Sequence, residues 1–488
     1  MEKLQAYTKF AKSIFAVGFL DFMGVVSGLV FLSLITKMLG AQDYGIWIQI
    51  RVLMSLAVAL TFLGLQEALI RFIPGGKNQE EIREGVYSSL FLIFFLNAVI
   101  GLLLLVFTGR ISAFLHVDQL FVRLLSLIII LESLSTFFLV VIRAIKEIRN
   151  YFWIMTLKLF GEIVLVVSVV LLGQGLLGAI VSMLIIRILI FSILILYVIK
   201  KIGFAYPSFS LTKKYLSFSL PTMVDGLSYW MITSSDRFFI AFFLGVAFVG
   251  YYVPAYSIGS LLAFFIFPMA FMLSTMLPKL FDENNVHEVK NYLSYSLKYL
   301  LCLMIPAIFG LSAVSRQLLT FFSTQEIADR AFFVVPFVAV SILFYGVIYF
   351  FAQILALAKK TKITALVWLV SAFLNLVLNI IFIPMLGILG AAIATLAAYL
   401  CALVLMRRFA FKELRFKIDW YFIGKVLMAS IFMGISIAWL NLPGASGLIV
   451  EILLGVVIYI MLMVLFKGID AKEINFLKKL LTRESHIS

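Results

Sequence analysis

Runs of about 20 apolar residues recur along the whole chain, separated by short joints that carry charge, glycine or proline. This alternation fixes the solvent before it fixes the fold. About 20 residues at 1.5 Å rise cross the hydrocarbon core of a bilayer, and lipid requires every backbone polar group to be paired within the segment. Helices meet that requirement locally. The predicted spans are residues 13–38, 46–70, 86–107, 121–142, 152–172 and 176–199, then 216–244, 250–276, 292–314, 331–358, 363–384, 388–406, 420–440 and 448–466. The fold class is therefore all-α, a polytopic membrane protein of about 14 transmembrane helices. Composition agrees, since 64% of the 488 residues are hydrophobic and 13% are charged, about half the charged fraction of a soluble domain. Lys3, Lys9 and Lys12 precede the first run as they would in a secretion signal. The run is too long for one and reads as an uncleaved first span.

The net charge of +15 invites a nucleic-acid partner, but its distribution points to topology. With the N-terminus inside, the tail and the even-numbered joints hold roughly 28 basic residues against 5 on the other side. Both termini are expected to be cytoplasmic in a cell-membrane protein, and no nucleic acid is expected as a partner. The tail after Lys467 places Ile474, Leu477, Leu480 and Leu481 among lysines, the pattern of a helix lying in the interface or of an unstructured end. Cys302 and Cys401 fall inside apolar spans, and His116, His287 and His486 are scattered, so neither a disulfide framework nor a metal site is expected.

Two joints repeat. Leu39-Gly40 to Gly45-Ile46-Trp47 between spans one and two matches Leu244-Gly245 to Gly250-Tyr251-Tyr252 between spans seven and eight, about 205 positions later. Leu172-Gly173 to Gly178-Ala179 matches Leu386-Gly387 to Gly390-Ala391, about 212 positions later. Each half then has an even number of spans, so the halves run in the same direction, as in parallel-repeat transporters. The expected organisation is an N-terminal lobe of residues 1–199, a cytoplasmic linker of 200–215 and a C-terminal lobe of 216–406. An extra pair of spans follows in 407–466, then a tail of 467–488.

Ionisable residues at membrane depth are costly and mark either structural pairs or a transport path. Residues 216–245 carry Pro221, Asp225, Asp236 and Arg237, with Asp225, Ser228, Tyr229, Ile232 and Asp236 at helical spacing on one face. Glu67 with Arg71 and Lys158 with Glu162 are four apart and read as pairs along their own helices. Arg51 lies near the end of its span, where it can snorkel, and so do Lys298 and Lys425. Arg187 sits mid-span with no acid three or four residues away, so it needs a cavity, an acid on another helix or an anionic substrate. The candidate anion site is Arg187, Arg237, Lys298 and Arg51. Asp21, Asp225 and Asp236 are candidates for coupling to a proton or Na⁺. Asn375 and Asn379 share a face as polar-cavity candidates or interhelical glue, beside a Gly390, Ala394, Ala398 packing seam.

Lys360-Thr361-Lys362, Asn375-Leu376-Val377-Leu378-Asn379, Ile383-Pro384, Gly387, Gly390-Ala391-Ala392 and Ala394-Thr395 resemble the signature of polysaccharide flippases. These O-antigen flippase-like proteins form the oligosaccharide-transporting branch of the multidrug/oligosaccharidyl-lipid/polysaccharide flippase superfamily. Leu39 to Gly45, Gly64-Leu65 through Arg71-Phe72, and Ser235-Asp236-Arg237 leading to Leu244-Gly245 fit the same pattern, whereas Glu67 departs from it. The resemblance implies two lobes around a central cavity that opens alternately to either side, with spans thirteen and fourteen forming a groove for a lipid tail. It implies a prenyl-diphosphate-linked oligosaccharide as substrate, flipped from the inner to the outer leaflet. Membrane lipids and other polysaccharide-assembly membrane proteins are the implied partners, and no cofactor is implied. The rival readings are a drug or small-molecule/cation antiporter of the same superfamily and a membrane polysaccharide polymerase or glycan ligase. The extra pair of spans weighs against the antiporter, and the short external joints and scattered histidines weigh against an enzyme.

Overall fold

The computed structural model describes the backbone of residues 2–75, 79–115 and 117–468, and their side chains except those of 2–22, 75, 114 and 115. Helix follows helix: α1 (Glu2–Phe62), α2 (Leu65–Phe72), α3 (Gln79–Val106), α4 (Thr108–Leu115), α5 (Gln119–Ala144), α6 (Ile148–Val169) and α7 (Gly175–Ile202). Then come α8 (Thr212–Ser234), α9 (Asp236–Leu244), α10 (Val246–Ser260), α11 (Ile266–Asp282), α12 (Val286–Ala313), α13 (Ser315–Phe322) and α14 (Gln325–Ala331). The order ends with α15 (Val334–Leu357), α16 (Thr361–Leu386), α17 (Ile388–Glu413), α18 (Trp420–Leu440) and α19 (Gly444–Leu465). No strand occurs among the described residues. Side-chain caps start several of these helices: Leu120 N–H donates to Asp118 at 2.7 Å ahead of α5, and Phe422 N–H to Asp419 at 3.0 Å ahead of α18.

Among the described residues, 11 stretches are long and apolar enough to cross a membrane. Three are much longer than one crossing, Val246–Asp282 with 37 residues and two that join predicted spans. Met23–Phe62 has 40 residues and Ile148–Ile202 has 55, whereas a crossing needs about 20. Each contains a pair of the spans predicted from sequence, divided at a left-handed glycine, Gly40 (φ 72°) in the first and Gly173 (φ 81°) in the second. Only glycine enters that backbone region without a Cβ penalty, so the chain can bend while remaining largely helical. The predicted seventh span is split at Ser235 into α8 and α9, and Pro221 lies inside α8.

Contacts divide the chain into two compact units. The first comprises Met1–Pro254, Phe322–Ile327 and Trp368–Ala398, and the second comprises Ala255–Phe321, Ala328–Val367 and Tyr399–Ser488. In the first, α5 packs on α3 and α7 around a core that includes Leu65, Ile93, Phe137, Ile186 and Ile190. In the second, α12 is central, packed on α11, α15 and α18.

The two joints paired by the 205-residue offset meet each other inside the first unit. A Cβ on Gly45 would overlap the Val246 carbonyl, and a Cβ on Gly250 would overlap the Ala41 carbonyl. The contact is reciprocal, as at a two-fold axis, because Ala41 and Gly45 of one repeat stand where Val246 and Gly250 stand in the other. Gly40 and Gly245 have positive φ of 72° and 99°, and Gly173 and Gly387 have 81° and 63°. The repeat is thus expressed in backbone conformation at both joints.

This crossing predicts a sharp contrast. Gly250→Ala and Gly45→Ala should each lower stability by about 1–3 kcal/mol through overpacking against backbone. Gly226→Ala, with open space around its Cα, should leave the unfolding temperature of the detergent-purified protein unchanged or slightly raised.

Candidate functional site

The first unit holds a network of charges contributed by four membrane segments. Arg187 of α7 reaches Glu132 of α5 at 2.5 Å through Nε and Glu162 of α6 at 2.7 Å through Nη2. Lys158 of α6 donates to Glu132 at 2.8 Å, and Arg51 of α1 stands 3.6 Å from Glu162. Three cations therefore meet two carboxylates, an excess of one positive charge. Arg187 is buried, its side chain 3% exposed, whereas the Arg51 side chain is 43% exposed. The planar guanidinium of Arg187 presents donors in a fixed fork that a lysine ammonium cannot reproduce, which is how one side chain serves acids on two helices.

Sequence reasoning left three options for Arg187, and the geometry places acids from other helices beside it. The expected pair of Lys158 with Glu162 along α6 is corrected, because Lys158 joins Glu132 on α5 while Glu162 is taken by Arg187 and approached by Arg51. Glu132 was missed, although an acid within an otherwise apolar run was the available signal. The pairing expected for Glu67 and Arg71 is also replaced: the Arg71 guanidinium lies over the Phe218 ring at 4.6 Å, a cation–π contact that suits a partly desolvated cation.

Asp236 and Arg237 pair with each other even though they are adjacent. The break at Ser235 makes Asp236 the first residue of α9, where its carboxylate accepts from the Arg237 backbone N–H at 2.9 Å and meets the Arg237 guanidinium at 2.8 Å. Tyr252 donates its hydroxyl to the second Asp236 oxygen at 2.6 Å. Arg237 Nη1 also donates to the Thr233 carbonyl, and Gln49 of α1 donates to the Arg237 carbonyl at 2.6 Å. Along the polar face expected of 216–245, Asp236 is buried. Ser228 and Ile232 are buried there, Tyr229 is exposed, and Asp225 is half-buried. Asp225 Oδ1 and Ser228 Oγ are buried without hydrogen-bond partners among the described residues.

The other candidates lie apart. Lys298 belongs to the second unit, its ammonium over the Phe422 ring at 4.5 Å in a small cleft that Asp419 also lines. Asn375 and Asn379 are fully buried on α16, joined by a 3.0 Å hydrogen bond, and Asn375 Nδ2 and Asn379 Oδ1 have no partner among the described residues. The side chain of Asp21 and the tail with Ile474, Leu477, Leu480 and Leu481 lie outside the described residues.

Known proteins share this arrangement of helices. A family model described as "Polysaccharide biosynthesis protein" matches residues 34–331. A probable low-salt glycan biosynthesis flippase, Agl15 of Haloferax volcanii, is 24% identical over 479 residues, covering 94% of this chain and 95% of its own. Among solved structures, the lipid II flippase MurJ in an inward closed conformation superposes with a TM-score of 0.76 at 19% identity, covering 92% of this chain and 98% of its own. An inward-facing multidrug resistance MATE family transporter of the MOP superfamily gives 0.65 at 17% identity, over 80% of this chain and 95% of its own.

The network carries a stability prediction. Removing one member strands a buried charge, so Arg187→Ala and Glu132→Ala should each cost about 3–5 kcal/mol, read as a lowered unfolding temperature. Arg187→Lys should recover only part of the loss. A triple apolar replacement, Arg187→Met with Glu132→Leu and Glu162→Leu, should recover more than any of the single alanine variants.

Proposed function

Because this chain belongs to the polysaccharide biosynthesis protein family, whose model matches more than half of it, we propose that it is a membrane flippase. Its substrate is a prenyl-diphosphate-linked oligosaccharide, carried from the inner to the outer leaflet by alternating access, with both termini cytoplasmic. The glycan-flippase relative supports the reading, and one observation carries it: a half-exposed guanidinium, Arg51, stands at membrane depth on a cluster with surplus positive charge. A diphosphate cannot cross hydrocarbon unpaired, whereas a guanidinium binds phosphate oxygens bidentately with charge-assisted hydrogen bonds.

The geometry suits release as well as capture. Arg51 holds Glu162 only at 3.6 Å, and Glu162 keeps Arg187 at 2.7 Å when Arg51 turns to the substrate. Arg51 can therefore change partners without stranding a buried carboxylate. In this reading Arg187 positions the acids, and Arg237 braces the α8–α9 break through Asp236. The prenyl chain stays in membrane lipid throughout. Asp225, whose Oδ1 has no hydrogen-bond partner among the described residues, is the candidate for a coupling proton or Na⁺. Asp236 is already held by Arg237 and Tyr252.

The test uses proteoliposomes carrying prenyl-diphosphate oligosaccharide in both leaflets, with an added glycan-cleaving enzyme reporting the outer pool. Wild type should expose the inner pool, and Arg51→Ala should do so about tenfold or more slowly with its unfolding temperature retained. If wild type matches empty vesicles with several glycans, the flippase reading fails and drug efflux becomes the leading account. Asp225→Asn should remove the dependence of flipping on a pH or Na⁺ gradient. Gradient dependence that survives this change would exclude Asp225 as the coupling group.

A further inference from the structure

Glu451 is the one acid in α19, and it is fully buried. It lies on a face with Gly447 and Gly455, four residues to either side, where α19 comes close to its neighbours: a Cβ on Gly455 would overlap Ile437 of α18, and one on Gly447 would come within 2.7 Å of the Leu442 carbonyl. The glycine at 447 lets the short connection between α18 and α19 settle onto this face, and the Leu442 N–H donates to Glu451 Oε1 at 2.5 Å. Asn441 adopts the left-handed conformation (φ 38°, ψ 53°) that turns the chain there. From α13, Gln317 points its amide into the same spot.

This cluster is rich in oxygen and poor in protons. The two N–H bonds of Gln317 Nε2 are spread over three oxygens, Asn441 Oδ1 at 3.2 Å, Glu451 Oε1 at 3.3 Å and the Leu442 carbonyl at 3.4 Å. Glu451 Oε2 and Gln317 Oε1 are buried with no hydrogen-bond partner among the described residues. No lysine, arginine or histidine among the described residues pairs with Glu451, and the neighbouring Arg316 is engaged by Asp329 at 2.7 Å. A carboxylate buried in this way without a base is strongly disfavoured. With the Gln317 amide turned by 180°, Oε1 in place of Nε2 would face Asn441 Oδ1, Glu451 Oε1 and the Leu442 carbonyl, an all-oxygen set of the kind a hard cation prefers.

We propose that Glu451, Gln317, Asn441 and the Leu442 carbonyl bind a hard, oxygen-seeking metal cation, Na⁺ or Ca²⁺, which ties the α18–α19 hairpin to α13. The site is separate from the Arg51 cluster and does not rest on the flippase reading. Its charge logic is the converse of that cluster, an unpaired carboxylate in place of a surplus cation. Cation binding would set how firmly this hairpin is held to α13 within the second unit.

The experiment measures thermal unfolding and radiolabelled cation binding on the purified full-length chain in nanodiscs. NaCl is titrated against choline chloride at constant ionic strength, and CaCl₂ against a chelator, so that the two ions are distinguished. Wild type should show saturable binding, with about one ion per chain retained in the Asp225→Asn variant, and a rise in unfolding temperature of about 3 °C or more. Glu451→Gln should weaken binding at least tenfold, and Gln317→Leu should also weaken it, while Arg51→Ala binds as wild type does. Should Glu451→Gln fail to fold, Gln317→Leu and Asn441→Ala supply the same comparison. Absence of saturable binding in wild type overturns the proposal. Undiminished binding by the variants overturns it equally.

Discussion

Two backbone carbonyls touching two glycines hold the repeats of this protein in register. Ala41 against Gly250 and Val246 against Gly45 leave no room for a Cβ on either glycine. Helix association in lipid lacks the hydrophobic driving force available in water, so close approach and packing must supply it. A reciprocal contact also fixes direction, because each repeat offers the other the same surface. The hydrogen bonds from Gln49 to the Arg237 carbonyl and from Trp230 to Ser55 then join α1 to α8 and α9 within that frame.

On this frame the protein places charge in two different ways. Around Arg187 the acids and bases come from α1, α5, α6 and α7, and the buried members are mutually paired. Such a network contributes little net stability over an apolar core, but any single deletion is costly. Its value lies in leaving one cation, Arg51, partly exposed while the acids behind it stay neutralised. The Asp236–Arg237–Tyr252 cluster is more closed and serves the backbone, pinning the point where the seventh predicted span breaks into α8 and α9.

Unpartnered polar atoms form a second group. Asp225 and Ser228 on α8, Asn375 and Asn379 on α16, and Glu451 with Gln317 all keep buried oxygen or nitrogen atoms without a hydrogen bond among the described residues. Each such atom costs free energy in a low-dielectric interior. Those on α8, on α16 and at the α13–α19 contact lie on segments that the transport reading or the cation site can use, while others, such as Ser133 and Ser135 on α5, lie on the helices of the apolar core that includes Phe137 and Ile190.

The sequence by itself determined the helical membrane class, the positions of the apolar spans and the repeat of glycine joints. Lipid permits few spanning structures, and a left-handed turn admits few residues other than glycine, so local chemistry suffices for those features. It also identified Arg187, Arg237 and Asp236 as residues needing an explanation, because ionisable groups are expensive at membrane depth wherever they sit. Only the tertiary structure decided their partners. Glu132 lies 55 residues from Arg187, and the two are joined because α5 packs on α7. The helical periodicity that places Lys158 beside Glu162 was overruled because a guanidinium from α7 claims that acid and the lysine turns to Glu132 instead. Pairing along one helix can be counted from spacing, whereas pairing between helices depends on which faces the packing brings together.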